Sequence, residues 1–184
     1  DLGNDGGLLQ SGDALNLDAG SSTVRNANSG STRGIVAQGP LTIAAGSLVN
    51  RGNVSSNGDI SLKTAGLDND AGVIGANGKL AVEGSSVTNR GGSLQAKQGV
   101  DGSTQEVLVP QVYIHASNVQ VTGQGTLIAG NDVAFQAAQD IVNSGGTIAG
   151  RQSVSLAGNN VQNLGGRVSG SAVTVAAAQD INNL

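Results

Sequence analysis

A triplet of aliphatic residue, any residue and Asn recurs along this chain at a nearly fixed interval. It reads Leu2-Gly3-Asn4, Val24-Arg25-Asn26, Leu48-Val49-Asn50, Leu67-Asp68-Asn69, Val87-Thr88-Asn89, Ile141-Val142-Asn143, Val161-Gln162-Asn163 and Ile181-Asn182-Asn183. The Asn positions lie 22, 24, 19, 20, 54, 20 and 20 residues apart, with Val121-Thr122-Gly123 as a degenerate copy inside the long gap. A second rank alternates aliphatic-x-aliphatic: Leu15/Leu17, Leu41/Ile43, Ile60/Leu62, Leu80/Val82, Val112/Ile114, Val133/Phe135, Val154/Leu156 and Val173/Val175. A third rank is a single aliphatic after a Gly-containing turn: Leu9, Val36, Val54, Ile74, Leu94, Ile128, Ile148 and Val168. Period-2 alternation is the mark of a half-buried strand, and Gly, Asn and Asp punctuate all three ranks as turns.

Each repeat of about 20 residues therefore holds three very short strands and three turns. Helices need longer uninterrupted stretches than such turns leave. Strands this short gain little from pairing along the chain, but each can pair with its equivalent one repeat later. The prediction is an all-β, right-handed parallel β-helix of about eight coils, with inward side chains stacked rank upon rank. Composition agrees. Of 184 residues 30 are Gly and only 2 are Pro, which excludes collagen, whose triple helix is rich in Pro. Charged residues are 12% and hydrophobic residues 38%, too apolar for a disordered chain. Aromatics are 1%, as a narrow tube lined on three sides has little room for rings.

The same numbers narrow function. A net charge of -4, no basic run and almost no aromatic side chains speak against nucleic acid as a partner. No apolar run is long enough to cross a bilayer as a helix, so no membrane insertion by this segment is expected. Zero Cys removes disulfides, thiolate metal sites and Cys nucleophiles together.

The recurring Asn has two readings. One is a turn residue that tolerates left-handed backbone angles. The other is an inward ladder, formed by Asn50, Asn69, Asn89, Asn143, Asn163 and Asn183, each amide bonded to its copies above and below. Either role is structural.

Two insertions break the register, Ala27 to Arg33 and residues 99–111. In solenoids insertions map to projecting loops, and loops on rigid scaffolds are where binding tends to sit. The candidate interaction residues are therefore Asp101, Glu106 and Pro110, with Tyr113 and His115, the sole Tyr and His, just beyond. The alternative is a decoration that packs back on the rod. Turns tighten after residue 116, as in Gly145-Gly146-Thr147 and Gly165-Gly166-Arg167. Residues 1–184 are thus read as one β-helix segment with a seam between two repeat classes near 99–116. Both ends look like the middle of something, so truncation from a larger protein is expected.

The sequences Ala45-Gly46-Ser47-Leu48-Val49-Asn50-Arg51-Gly52, Ser86-Val87-Thr88-Asn89-Arg90-Gly91-Gly92-Ser93-Leu94-Gln95-Ala96 and Ile141-Val142-Asn143-Ser144-Gly145-Gly146-Thr147-Ile148-Ala149-Gly150-Arg151 resemble the haemagglutinin repeats of filamentous haemagglutinin and its relatives. Those relatives include the contact-dependent growth-inhibition exoproteins of Gram-negative bacteria. The resemblance covers essentially the whole chain. It implies two-partner secretion through an outer-membrane transporter, engaged by parts outside this segment. It also implies folding outside the cell as a surface filament that meets a host-cell or bacterial receptor. Zero Cys suits a chain threaded unfolded through a pore.

Catalytic chemistry has little footing in the residues. A Ser-His-acid arrangement must use His115, which continues the alternation Val112-Tyr113-Ile114-His115 and so points outward. A carbohydrate-active β-helix enzyme, lyase or hydrolase, is the competing class. Its best cluster would be Asp68, Asp70 and Lys63 with Glu83 one coil on. No Gly pair is followed by Gly-x-Asp, so calcium-roll repeats are missing, and Gly78-Lys79-Leu80 fails as a phosphate loop. Thr42, Thr64, Thr88, Thr126 and Thr147 fall in different registers, unlike an ice-binding rank. No catalytic residue, metal site or cofactor is expected, and the preferred reading is an adhesive or structural stalk segment.

Overall fold

The computed structural model describes residues 1–97 and 109–184. Among them every regular element is a β-strand, and the strands stack in parallel as a β-solenoid of about 8 turns with ~21 residues per turn. At the ~4.8 Å spacing of neighbouring strands, the rod is ~40 Å long.

The pairing follows the ranks. On the asparagine face Val24 pairs with Leu48, Leu48 with Leu67, and Leu67 with Val87. On the double-rank face Leu41/Ile43 pair with Ile60/Leu62, these with Leu80/Val82, and these with Val112/Ile114. The last pairing joins strands on either side of residues 98–108, so the sheet continues past that segment. On the single-rank face Leu9, Ile35, Val54, Ile74, Leu94, Leu127, Ile148 and Val168 stack in one line. The inward side chains of all three lines form one aliphatic core. Full burial of each is worth ~1.5–3 kcal/mol, and it supplies most of what holds neighbouring coils together.

The structure corrects the sequence reading in four places. The third-rank core residues are Ile35 and Leu127, both 0% exposed; Val36 and Ile128 point outward, and Ile128 is 42% exposed. Ile35-Val36 and Leu127-Ile128 each offer two adjacent aliphatics, and only the partner coil decides which goes in. The degenerate copy in the long gap is Val119-Gln120-Val121, with Val121 in the Asn position: it pairs with Asn89 on one side and Asn143 on the other. Three separate short strands per coil is also too simple. Leu41–Arg51, Ile60–Asp70, Ser153–Leu164 and Ala172–Asn183 run unbroken round the corner between two faces. The double-rank and asparagine faces thereby merge into a 13-stranded sheet, beside an 8-stranded sheet for the single-rank face. Finally, the tube does accept one ring. Phe135 is buried between Ile114 and Leu156.

The corner after the asparagine face explains why that strand ends there. Two residues beyond the rank position the backbone turns left-handed in every coil but the one after Asn50, with φ of 64° at Gly6, 61° at Gly91, 62° at Gly123, 72° at Gly145 and 62° at Gly165. Asn28 (52°) and Ala71 (56°) hold the same position without being Gly. Asn tolerates it; Ala clashes with its own carbonyl there. Ala71→Gly is therefore expected to raise stability by ~1 kcal/mol, after the entropy Gly adds to the unfolded chain. Chemical denaturation of the two chains checks this, and no gain at Ala71 would sink the explanation.

Candidate functional site

The asparagine face carries the most ordered polar array. Asn4 donates through Nδ2 to Oδ1 of Asn26 at 2.8 Å, Asn26 to Asn50 at 2.8 Å, Asn50 to Asn69 at 2.8 Å, and Asn69 to Asn89 at 2.8 Å. Beyond Val121 the chain of bonds resumes, from Asn143 to Asn163 at 2.7 Å and Asn163 to Asn183 at 2.8 Å. The second Nδ2 proton closes the adjoining corner, as from Asn69 to the Gly72 carbonyl at 3.0 Å and from Asn89 to that of Gly92 at 3.1 Å. The side chains of Asn50, Asn69, Asn89 and Asn143 are buried, so these bonds form away from competing water. From Asn26 to Asn143 the polar stripe lies inside the rod, while Asn4 and Asn163 are part-buried and Asn183 is exposed. Asn4 and Asn26 extend it toward the N-terminus, as the spacing of their triplets already signalled.

Outward side chains form the surface that another molecule would meet. The cluster Lys63, Asp68, Asp70 and Glu83 does not converge. Lys63 and Glu83 pair in register on the double-rank face, with His115 next to Glu83 on the following coil. Asp68 and Asp70 lie round the corner on the asparagine face, on the strand Ile60–Asp70. Asp70 sits between two guanidinium groups, Arg51 Nε at 3.3 Å and Arg90 Nε at 3.2 Å, and Arg90 also reaches Asp68 at 3.9 Å. Sequence reasoning missed this arginine–aspartate–arginine stack. Its signal was Arg51, Asp70 and Arg90, each directly following a rank Asn.

The hydrogen bond from Arg90, with help from Arg51, holds the Asp70 carboxyl below its usual 3.8. A depressed folded pKa stabilises the fold above the unfolded value and loses that contribution as pH falls through the lower, folded one. Asp70→Asn is expected to flatten the fall in unfolding midpoint below about pH 4. The effect should be small and salt-sensitive, because the groups are exposed. Matching pH profiles for the two chains would show that the stack contributes nothing.

Of the candidate interaction residues, Asp101 and Glu106 lie outside the described residues. Pro110 is buried, which corrects its reading as an exposed contact. Its ring lies under Gly130, where an added Cβ would come within 2.7 Å, and its carbonyl accepts the Asn131 N–H at 2.9 Å. It thus acts as a corner piece of the rod. Tyr113 and His115 both point outward, His115 exposed and Tyr113 half-buried. The Tyr113 hydroxyl donates to Gln136 Oε1 at 3.1 Å, and Lys79 Nζ lies 5.3 Å from the ring centre. The shorter insertion is partly built into the rod: Ser29 is buried and its Oγ accepts the Asn53 N–H at 2.7 Å, while Gly30 to Arg33 are exposed. An apolar cleft of about 550 Å³ opens at the last coil between Val161, Val168, Val173, Val175 and Ile181. These are inward rank positions, so the cleft is the end of the core.

Ladders that repeat coil after coil are a property of the repeat unit. The haemagglutinin repeat matches the chain three times, over residues 2–38, 36–109 and 111–184. The chain belongs to the haemagglutinin repeat family. Haemagglutinin-repeat proteins are secreted surface filaments, and the repeat is their structural, adhesin-type unit. No curated protein and no solved structure matches this chain. The second and third haemagglutinin-repeat matches meet at residues 109–111, at the end of the longer insertion.

Proposed function

We propose that this haemagglutinin-repeat segment is a stalk: a stiff spacer in a filament on the surface of a Gram-negative bacterium, holding a more distal part toward another cell. The observation that carries the reading is the unbroken stacking of all three ranks. Every coil is tied to the next by backbone pairing on three faces, and most of the inward asparagine amides bond to one another. A molecule built this way resists bending and has length as its useful property. Delivery fits the same picture. A Cys-free chain can leave through a narrow outer-membrane transporter unfolded, and nearest-neighbour stacking lets each coil fold on the one before.

The decisive experiment is binding of the labelled chain to panels of Gram-negative bacteria and epithelial cells, beside a variant lacking residues 99–108, which keeps the Pro110 corner and the Gln111 pairing with Leu80. A stalk predicts no saturable binding by either form. Saturable binding that disappears with the deletion would instead make this an adhesive module with its contact on the insertion.

A further inference from the structure

The asparagine ladder has one fault, and it leaves a mark. At Val121 the rank position holds an aliphatic side chain, 0% exposed, paired with Asn89 on one side and Asn143 on the other. The two interfaces it creates are not equivalent. Toward Asn89 the loss is repaired: Asn89 turns its Nδ2 to the Gly92 carbonyl at 3.1 Å and, across the coil boundary, to the Thr126 carbonyl at 3.0 Å. Toward Asn143 nothing replaces the missing donor. Asn143 is 1% exposed and its Oδ1 has no hydrogen-bond partner. A buried acceptor without a donor carries its full desolvation cost. The side-chain bonds that do cross this boundary are peripheral. Asn118 Nδ2 donates to exposed Gln139 Oε1 at 2.9 Å, Asn118 Oδ1 accepts the Asp140 N–H at 3.4 Å, and Ser153 Oγ donates to Asp132 Oδ1 at 2.6 Å, the last two part-buried.

In a solenoid each coil touches only its neighbours, so stability is a chain of interface terms and the weakest interface decides where the rod opens. We infer that the boundary between the coil bearing Val121 and the coil bearing Asn143 is a built-in breaking point, at which residues 140–184 come away as one cooperative unit while residues 1–97 stay folded. The rod then has a defined place of give, one coil beyond the longer insertion. This goes beyond the stalk reading and does not depend on what the filament meets.

Hydrogen exchange of the whole chain tests it, with Val121→Asn as the repair. An amide at this position accepts from Asn89 and donates to Asn143 Oδ1, restoring the bonding pattern of every other coil. The unmodified chain should show a step: strands from Asp140 onward exchange together, faster than the strands up to Arg90. Val121→Asn should remove the step and slow exchange beyond it about tenfold, the equivalent of relieving one buried orphan acceptor. Asn143→Val supplies a second arm that does not rely on the repair folding well. It removes the orphan at this boundary, and the acceptor it strands, Asn163 Oδ1, is only part-buried and open to water, so the step at Asp140 should shrink. A smooth fade of protection with no step, or a step that ignores both substitutions, overturns the inference.

Discussion

Asn69→Leu is expected to be the most damaging single change in the core, at ~4 kcal/mol. Asn69 is 0% exposed, accepts from Asn50 at 2.8 Å and donates to Asn89 at 2.8 Å and to the Gly72 carbonyl at 3.0 Å. Leu at this position leaves Asn89 Oδ1 without its donor, and the Gly72 carbonyl loses a bond. Each stranded buried group costs ~1–3 kcal/mol. The added apolar area recovers part of this at ~25 cal/mol per Å², but the branched methyl groups must fit beside the corner glycines, and overpacking costs ~1–3 kcal/mol more. Thr88→Leu is the control: Thr88 points outward on the adjoining coil, and its replacement should stay within ~0.5 kcal/mol. Denaturant unfolding of both variants reads the difference. Equal stability of the two would mean that the inner amides are mere fillers, and hydrophobic stacking alone carries the rod.

The second large effect comes from a neighbouring pair of glycines that look interchangeable in sequence. Gly92→Ala is expected to cost ~3 kcal/mol, and Gly91→Ala only ~1–2 kcal/mol. At Gly92 an added Cβ would sit 2.4 Å from Asn69 Nδ2, 2.8 Å from Asn89 Oδ1 and 2.8 Å from the Gly72 carbonyl. The last is backbone, and the amides cannot yield without breaking the ladder. Gly91 has open space around its Cβ position and requires Gly only for its φ of 61°. The two costs have different origins, so they should also differ in company. Gly92→Ala should lose part of its penalty when Asn69 is already Leu, because the ladder bond it would disrupt is gone while the contact with the Gly72 carbonyl remains, and the Gly91→Ala penalty should be unchanged. Thermal or denaturant unfolding of the double variants separates them. Full additivity for both glycines would remove the ladder as the reason for Gly92.

The spacing of the ranks made the β-solenoid legible before any coordinates, because a residue that must stack on its copy has to recur at the coil length. The position of Asn69 or Asn143 in that period could be read directly. Whether the amide faced inward or served the turn could not, since both readings use Asn at the same spacing. Burial settled it: the backbone corner two residues later takes the left-handed angle, and the rank Asn itself is inside. The outward stack of Arg51, Asp70 and Arg90 was equally hidden, because lateral neighbours in a solenoid are 19 and 20 residues apart in sequence.

What the sequence determined by itself is the repeat, and with it the coil length, the three-rank core and the family. Those depend on periodicity, which every copy reports again and so averages out local ambiguity. What only the tertiary structure decided are the single-residue choices: Ile35 over Val36, Leu127 over Ile128, Val121 as the ladder position, and Pro110 turned inward. Each is a one- or two-residue shift in register, or one side chain's facing. In a strand a one-residue shift exchanges inside for outside, and only the coil above and the coil below hold the information that fixes it.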